Sequence, residues 1–196
     1  VEHYYEVEDK EELERILSQQ YHVVVGNPPY ITPKDPAANQ AYRNKYGSCH
    51  MKYSLAVPFM ERFFDLALES DKVGYIGMIT SNSFMKREFG KKLIESFIPH
   101  WDLTHVIDTS GTYIPGHGTP TVIIFGRNRQ PTTNTIRTVM GIKGEPSTPE
   151  NAVDGLVWQS ITSLIDKVNS QNDFVSVSNT QRENFYKHPW SIGGGG

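Results

Sequence analysis

The chain has 196 residues, 37% of them hydrophobic and 21% charged, so it can bury the core of one compact domain and requires no second. A formal net charge of -3 excludes a uniformly basic surface, so a nucleic-acid partner would have to contact a local basic patch. A single cysteine, Cys49, excludes an internal disulfide framework, and no apolar run approaches the length of a membrane span. Together these features favour a reducing, cytoplasmic setting without membrane contact.

The first predicted elements are an amphipathic helix and a strand. Asp9 and Glu12 have the spacing of a helix N-cap with a returning carboxylate. The apolar residues that follow recur at helical spacing: Leu13, Ile16 and Leu17. The apolar run over 21–26 then predicts a buried strand.

This strand ends at the tetrapeptide Asn27-Pro28-Pro29-Tyr30. Two consecutive prolines fix φ, remove two backbone donors and force Asn27 and Pro28 into extended geometry, so we expect the Asn27 amide and nearby carbonyl oxygens to point outward without internal partners. The acceptors of such a loop could bind a planar amino group through its two N–H donors. Tyr30 is near enough in the chain for its ring to stack on the plane that carries the amine. The alternative is an ordinary Asn-Pro turn. The strand before the loop and the aromatic residue within it favour a functional site at a strand tip.

Beyond this loop, helical and strand patterns alternate. Residues 32–50 are polar and show no apolar period, which predicts a surface loop beside the site. The elements predicted next are a helix over 54–68, a strand over 73–79, a helix over 86–98, and strands over 103–107 and 121–125. Strand, helix and strand in this order predict a right-handed crossover. After Arg127 the chain turns polar, with a short strand near 135–140, a loop over 141–155 and a helix around 158–168.

Several stretches of the sequence resemble one family. Residues 26–31, GNPPYI, are similar to the catalytic motif of methyltransferases that use S-adenosylmethionine to methylate an amino group. Three further runs resemble the DNA adenine branch: KYSLAVPFMERFF (52–64), GMITSNSFMKREFG (77–90) and DTSGTYIPGHGTPTV (108–122). Within that branch the chain resembles the N6-adenine-specific DNA methyltransferases of type IIG restriction-modification systems, and most closely the methylases of BREX phage-resistance systems.

The resemblance implies an α/β fold: the C-terminal, catalytic half of a Rossmann-like methyltransferase sheet, mostly parallel with an antiparallel final strand. Residues 1–130 would form this half, and 131–196 a polar connecting segment with a short strand and a helix. In complete enzymes a strand, a glycine-rich turn and a helix together wrap the cofactor. The sequence contains no such unit. We therefore expect the cofactor-binding unit to lie upstream of Val1, the target-recognition domain to be absent, and this chain to be inactive alone.

The implied reaction is methylation of the 6-amino group of an adenine flipped out of duplex DNA. In the catalytic motif, which includes Pro29, Asn27 Oδ1 and the Pro28 carbonyl would accept the two amine hydrogens. These acceptors favour a pyramidal nitrogen, and no strong base is needed. Tyr30 is the first candidate to stack on the base. Tyr113 is the second, because the family commonly places an aromatic residue before the final strand; a packing role is the alternative for this side chain.

Other candidates rest on weaker patterns. Leu55 and Phe59 match a family segment beside the adenine of the cofactor, with a core position at helical spacing as the alternative. Lys86 and Arg87 are candidate DNA phosphate contacts, with a solvated helix face as the alternative. His117, between two glycines, is a further candidate DNA contact. It has no partners at metal-ligand spacing, so we expect no metal.

The implied partners are double-stranded DNA and, through the same resemblance, other subunits of a phage-defence system. Two alternatives remain open. Protein-glutamine methyltransferases that act on release factors use the same motif on an amide nitrogen, although the residues after Lys52 resemble the DNA branch. A non-catalytic DNA-docking subunit is the other alternative.

Overall fold

The computed structural model describes residues 9–69 and 72–191. The helices are α1 (Lys10–Ser18), α2 (Pro36–Lys45), α3 (Ala56–Leu66), α4 (Ser83–Lys86) and α5 (Leu156–Leu164). The strands are β1 (Val23–Gly26), β2 (Tyr75–Ser81), β3 (Asp102–Asp108), β4 (Thr121–Arg127), β5 (Thr135–Gly141), β6 (Ser170–Gln171) and β7 (Val175–Gln181). Short 3-10 or π turns lie at Glu88–Gly90, Leu93–Phe97, Ile98–His100, Ala152–Asp154 and Arg182–Tyr186.

The strands form one seven-stranded sheet in the order β1-β2-β4-β3-β5-β7-β6. β1 pairs with β2, and β3 with β5, in parallel. β4 is antiparallel to β2 and β3, and β7 is antiparallel to β5 and β6. β1, β2, β3, β5 and β6 therefore run in one direction, and β4 and β7 in the other. This confirms the predicted α/β fold and the antiparallel strand over 121–125. The sheet is mixed, however, and β4 is not its final strand, because β5, β6 and β7 follow it in the chain.

One face of the sheet, the inner face, packs against α3 and the helical turns over 83–100. Ile76 and Met78 on β2 and Val122 and Ile124 on β4 point to this face, because alternate residues of a strand share a face. They join Met60 of α3 in the main buried cluster. The predicted helix over 54–68 and the strands over 73–79 and 103–107 are confirmed, with ends that shift by a few residues.

The opposite, outer face is covered only in part. α5 lies over β3, β5 and β7, where a second buried cluster contains Ile107, Val139, Val157, Ile161, Val175 and Val177. Near β1, Val23 and Val25 are 59% and 69% exposed, and Tyr75 and Phe125 are also exposed. The strand predicted over 21–26 is confirmed as β1, but the prediction that it is buried is wrong. β1 is the edge strand, and its outer face carries no helix in the part of the chain that the structure describes.

Residues 36–45 form α2, where the sequence predicted a loop. Asp35 caps this helix by accepting a hydrogen bond from Ala38 N at 2.6 Å. Pro36 occupies the first turn, where its missing N–H leaves no helical hydrogen bond unmade. No residue of α2 is buried, and its sequence, PAANQAYRNK, shows no apolar period. The loop prediction is wrong here because capping, not an apolar period, marks this helix.

The segment predicted as a helix over 86–98 is not continuous. α4 ends at Lys86, and short 3-10 and π turns follow as far as His100. A Cβ at Gly90 would lie 1.8 Å from the carbonyl oxygen of Phe84, so the chain folds back closely at a glycine. Glycine also has a low helix propensity. The apolar residues of this segment still face the core, since Leu93 and Ile94 are buried within the irregular turns.

Residues 135–181 extend the same sheet beyond β3. The strand predicted near 135–140 is confirmed as β5, and α5 begins at Leu156, slightly before the predicted helix around 158–168. β6 and β7 were not predicted, although Val175 and Val177 alternate with serines as a half-buried strand requires. Because β5 pairs directly with β3, the sheet continues across residue 130.

α1 begins as predicted, since Asp9 accepts a hydrogen bond from Glu12 N at 3.1 Å. The Glu12 carboxylate does not return to the cap but pairs with Arg15 at 2.6 Å. No residue of α1 is buried, so its apolar stripe lies open. In the ranges that the structure describes, every helix is too short or too polar to cross a bilayer.

Candidate active site

The candidate residues collect at one edge of the sheet. β1 ends at Gly26, β2 at Ser81 and β3 at Asp108, and these strands run in the same direction. The loop that follows β1 and the loop over 109–120, between β3 and β4, therefore lie on the same side. Carboxyl ends of parallel strands are where open α/β sheets bind their ligands.

The loop after β1 is held against α3 at both ends. A Cβ at Gly26 would lie 2.8 Å from the ring of Phe63, so glycine lets the end of β1 approach α3 closely. Farther along, the Ile31 carbonyl accepts a hydrogen bond from Leu55 N at 2.8 Å. Pro28, between these anchors, is buried and Pro29 is exposed. These contacts fix the tetrapeptide beside the start of α3.

Asn27 presents an amide without a partner. Its side chain is exposed and makes no hydrogen bond to any residue that the structure describes. The Pro28 carbonyl also accepts no hydrogen bond from residues 9–69 or 72–191. Two neighbouring acceptor oxygens are thus left without an intramolecular donor. The geometry agrees with the expected acceptor site, while the catalytic role of both groups stays a prediction.

Tyr30 and His117 meet at this edge. The two ring centroids lie 5.5 Å apart with a tilt of 55°. Tyr30 is half-buried, and this burial raises the pKa of its hydroxyl above the usual value, so the phenol stays neutral. His117 is exposed at the tip of loop 109–120. The structure therefore brings together a candidate stacking residue and a candidate DNA contact from two separate loops.

Tyr113 has different surroundings. It lines an apolar cavity of about 290 Å³ with Trp158, Val153, Ile79 and Ile123. This cavity lies beside the outer face, since Ile79 and Ile123 are paired across β2 and β4 on that face. The packing alternative for Tyr113 accounts for this position, and its stacking role stays a prediction.

Phe59 is more exposed than a core position allows. It is 39% exposed and contacts Phe63 edge to face, with centroids 6.3 Å apart. Since Phe63 lies next to Gly26, Phe59, one helical turn earlier, lies on the side of α3 that is near the end of β1. The core alternative is therefore wrong for Phe59, whereas Leu55 is half-buried just before α3. Cofactor contact by either residue stays a prediction.

A basic segment begins beside the same edge. Lys86 ends α4, Arg87 follows it, and both side chains are exposed, as are Lys91 and Lys92. None of the four forms an ion pair with a residue that the structure describes. Their charges are thus available to an anionic partner, and a solvated face remains compatible with the same geometry.

Two threonines that the sequence analysis did not single out hold loop 109–120 at its base. The hydroxyls of Thr109 and Thr121 lie 2.7 Å apart in a buried position, and Thr109 N donates to the Thr121 carbonyl at 3.1 Å. The Thr112 hydroxyl also donates to the Thr109 carbonyl at 2.7 Å. In the sequence, the only sign of this threonine pair is a threonine at each end of the glycine-rich loop.

Two other reactive side chains, Asp108 and Cys49, are buried and have structural surroundings. Asp108 is buried and accepts a hydrogen bond from Ser110 N at 2.9 Å, which shapes the start of loop 109–120. Burial raises the pKa of the Cys49 thiol to about 11, so this thiol stays protonated. Among the described residues there is no group of three His, Cys, Asp or Glu side chains that could hold a metal ion. The edge itself presents neutral acceptors and aromatic rings.

Comparison with known proteins places these features in context. The Eco57I restriction-modification methylase family matches residues 2–114. The adenine-specific methyltransferase PglX of Streptomyces coelicolor is 53% identical over 191 residues, which cover 93% of this chain and 16% of PglX. The type II restriction enzyme and methyltransferase RM.Eco57I of Escherichia coli is 32% identical over 83 residues, or 40% of this chain and 8% of that protein. The chain thus spans a small part of each relative.

A similar fold occurs among solved structures. The modification subunit of a putative type I restriction enzyme from Vibrio vulnificus YJ016 superposes with a TM-score of 0.62 at 10% sequence identity. The match covers 89% of this chain and 38% of that chain. At this identity the likeness concerns the fold alone.

Proposed function

The chain belongs to the Eco57I restriction-modification methylase family, and from this premise we propose that it carries the catalytic loop of an adenine-specific DNA methyltransferase. The whole enzyme would transfer a methyl group from S-adenosylmethionine to the 6-amino group of an adenine in duplex DNA. The 53% identity to PglX, a protein named for adenine-specific methylation, supports adenine as the target. Phage defence is the setting that we propose for it. Such an enzyme acts in the cytoplasm, with double-stranded DNA and other defence subunits as partners.

One observation carries this proposal: just before Tyr30 in the chain, the side-chain oxygen of Asn27 and the carbonyl of Pro28 accept no hydrogen bond from any residue that the structure describes. An exocyclic amine has two N–H donors and a lone pair delocalised into its ring. Acceptors on both N–H bonds favour a pyramidal nitrogen and direct its lone pair. The prolines preorganise these acceptors, so little reorganisation is needed during the reaction.

Tyr30 supplies the surface on which the base rests. A base must leave the duplex before its amine can reach a strand tip, at a cost of a few kcal/mol, and stacking on an aromatic ring offsets part of that cost. The neutral phenol is suited to this role because it adds no charge beside the reacting amine. The exposed Lys86 and Arg87 would contact DNA phosphates near the same edge.

The side chains present fit one end of the cofactor. Phe59 is an exposed ring on the side of α3 that is near the end of β1, and with Leu55 it would contact an adenine ring. S-adenosylmethionine supplies an electrophilic methyl group when bound. The described residues contain no glycine-rich turn between a strand and a helix, so on this proposal the methionine end is held by another part of the whole protein.

The test uses the whole protein that contains this chain, with radiolabelled S-adenosylmethionine and duplex DNA. Nucleoside digestion and mass spectrometry should identify N6-methyladenine, and the rate of labelling should fall roughly a hundredfold or more in the Asn27→Ala variant. A release factor with its glutamine motif serves as the competing substrate. Label on the release factor alone would replace the proposal with protein-glutamine methylation, and label on neither substrate would favour a docking subunit.

A further inference from the structure

The contact between Tyr30 and His117 brings together two loops that the sheet holds separately. Tyr30 follows β1, whereas His117 lies at the tip of loop 109–120 between β3 and β4. The rings approach to 5.5 Å between centroids, although His117 is otherwise exposed. No hydrogen bond from the imidazole to any described residue holds it there. The ring contact is therefore the main interaction that positions the imidazole.

This spacing leaves no room for a base between the rings. Stacked aromatic atoms lie about 3.5 Å apart, so a base between two rings would require a centroid separation of roughly 7 Å. The observed 5.5 Å separation with a 55° tilt is shorter than this. A base can stack on the Tyr30 face toward His117 only after the imidazole has moved.

The loop is fixed at its base and open at its tip. The buried hydroxyl pair of Thr109 and Thr121, 2.7 Å apart, closes the base. At the tip, a Cβ added to Gly116 or Gly118 would meet no atom within 4 Å. Gly116 also has a φ of +72°, which L side chains rarely adopt. The backbone of the tip is held by a hydrogen bond from His117 N to the Ile114 carbonyl at 3.1 Å. The imidazole can therefore withdraw by rotation of its side chain into open space, without movement of the sheet.

We propose that His117 is a gate on the base site: in the DNA-free protein its ring packs against Tyr30, and it must withdraw before the target base can stack on the side of Tyr30 that faces it. This inference rests on the proposed function, since it concerns the base that Tyr30 receives. His117 acts through Tyr30 and is a positioning residue. Its imidazole occupies the stacking surface when no base is present and thereby slows base insertion.

The first test observes the closed gate without DNA. The whole protein carries 3-fluorotyrosine at position 30, and fluorine NMR is recorded for the wild type and for two variants. Removal of the imidazole in His117→Ala should shift the position-30 resonance, because a nearby ring perturbs it. The matched control Thr119→Ala, an exposed position in the same loop, should leave the resonance unchanged. Identical resonances in the wild type and His117→Ala would overturn the gate.

The second test measures base insertion by stopped-flow fluorescence of 2-aminopurine at the target position. His117→Ala should accelerate insertion roughly two- to tenfold, the factor that corresponds to loss of one aromatic pair. His117→Phe should restore a rate close to wild type, and Thr119→Ala should have no effect. A fluorescence rise with equal rates in the wild type and His117→Ala would overturn the gate and leave the proposed function intact. If the fluorescence does not rise in the wild type or in any variant, the gate and the proposed function are both wrong.

Discussion

Asp102 and Arg182 form a buried ion pair that ties the first residue of β3 to the residue directly after β7. Asp102 Oδ1 lies 3.1 Å from Arg182 Nη2, and the two side chains are only 3% and 6% exposed. Arg182 also donates to the Thr133 carbonyl at 2.7 Å, and Arg129 donates to the other carboxylate oxygen of Asp102 at 2.8 Å. The pair therefore joins the C-terminal segment to the part of the sheet that carries the candidate site.

The first prediction concerns the stability that depends on this pair. Arg182→Ala should lower the free energy of unfolding by about 3–5 kcal/mol, because it leaves the Asp102 carboxylate buried with one fewer cation. Urea denaturation followed by circular dichroism measures this change. The control is Arg15→Ala, which removes an exposed pair with Glu12 and should cause no measurable change. Equal midpoints for the two variants would contradict a structural role for the buried pair.

The second prediction concerns Asn27 as an acceptor. Asn27→Ala in the whole protein should lower the rate of DNA methylation roughly a hundredfold or more, as does loss of a preorganised polar group that acts on the transition state. Affinity for S-adenosylmethionine should change far less. Single-turnover methylation and calorimetry measure the two quantities. Asn184→Ala, an exposed asparagine after β7, is the control. Near-normal turnover in Asn27→Ala would indicate that the loop is only a turn.

The third prediction separates stacking from hydrogen bonding at Tyr30. Tyr30→Phe should retain most of the activity, since the hydroxyl has no assigned role, whereas Tyr30→Ala should lose about 1–3 kcal/mol of base stacking. The loss should be smaller when the target adenine is mispaired, because less unpairing energy must be offset. Fluorescence of 2-aminopurine reports the flipped state. Equal flipping in both variants would exclude Tyr30 and leave Tyr113 as the candidate.

The fourth prediction tests the basic segment. If Lys86 and Arg87 contact phosphates, the double variant Lys86→Ala/Arg87→Ala should bind DNA more weakly, and the slope of log K against log salt should become shallower by roughly 2. Fluorescence anisotropy at several salt concentrations measures the slope. Lys91→Ala/Lys92→Ala removes the same charge from the same segment and serves as the comparison. If the salt slope is equal in the wild type and the Lys86→Ala/Arg87→Ala variant, these two residues do not contact phosphates and belong to a solvated helix face.

The position of the site was predictable because its determinants are local. The apolar run before Asn27 predicts a strand, and the prolines end it, so the tetrapeptide has to lie at a strand tip. The later strands over 73–79 and 103–107 have the same kind of pattern. Codirectional strands then place their following loops at one edge, where the structure has them.

The exposure of individual side chains was not predictable, because it depends on pairing between distant segments. Val25 belongs to an apolar run, yet it is exposed because no described helix covers the outer face of the sheet beside β1. Phe59 has the helical spacing of a core residue, yet it is 39% exposed. The contact of Tyr30 with His117 joins residues from different loops, and no local pattern encodes it. α2, in contrast, was predictable from a local signal, the N-cap at Asp35. A prediction based on the apolar pattern alone missed this helix.

The fifth prediction concerns His105, which lies on the outer face edge-on to Phe125 with centroids 6.0 Å apart. Burial lowers the pKa of His105, and the nearby Arg137 charge lowers it further, against a smaller opposing effect of Asp166. In the folded state the imidazole therefore resists protonation, whereas in the unfolded chain it takes up a proton near its usual pKa of about 6.5. The unfolded state binds more protons below that pH, so this residue makes the fold less stable as the pH falls.

His105→Gln should consequently lose less of its unfolding free energy than the wild type when the pH drops from about 7.5 to about 5, across the usual histidine pKa. Above that window the two proteins should show parallel pH dependence, because the imidazole is then neutral in both states. Urea denaturation at each pH measures the difference, and His100→Gln, at an exposed histidine, is the control. A steeper loss of stability in His105→Gln than in the wild type would reverse the sign of the effect and refute the buried neutral imidazole.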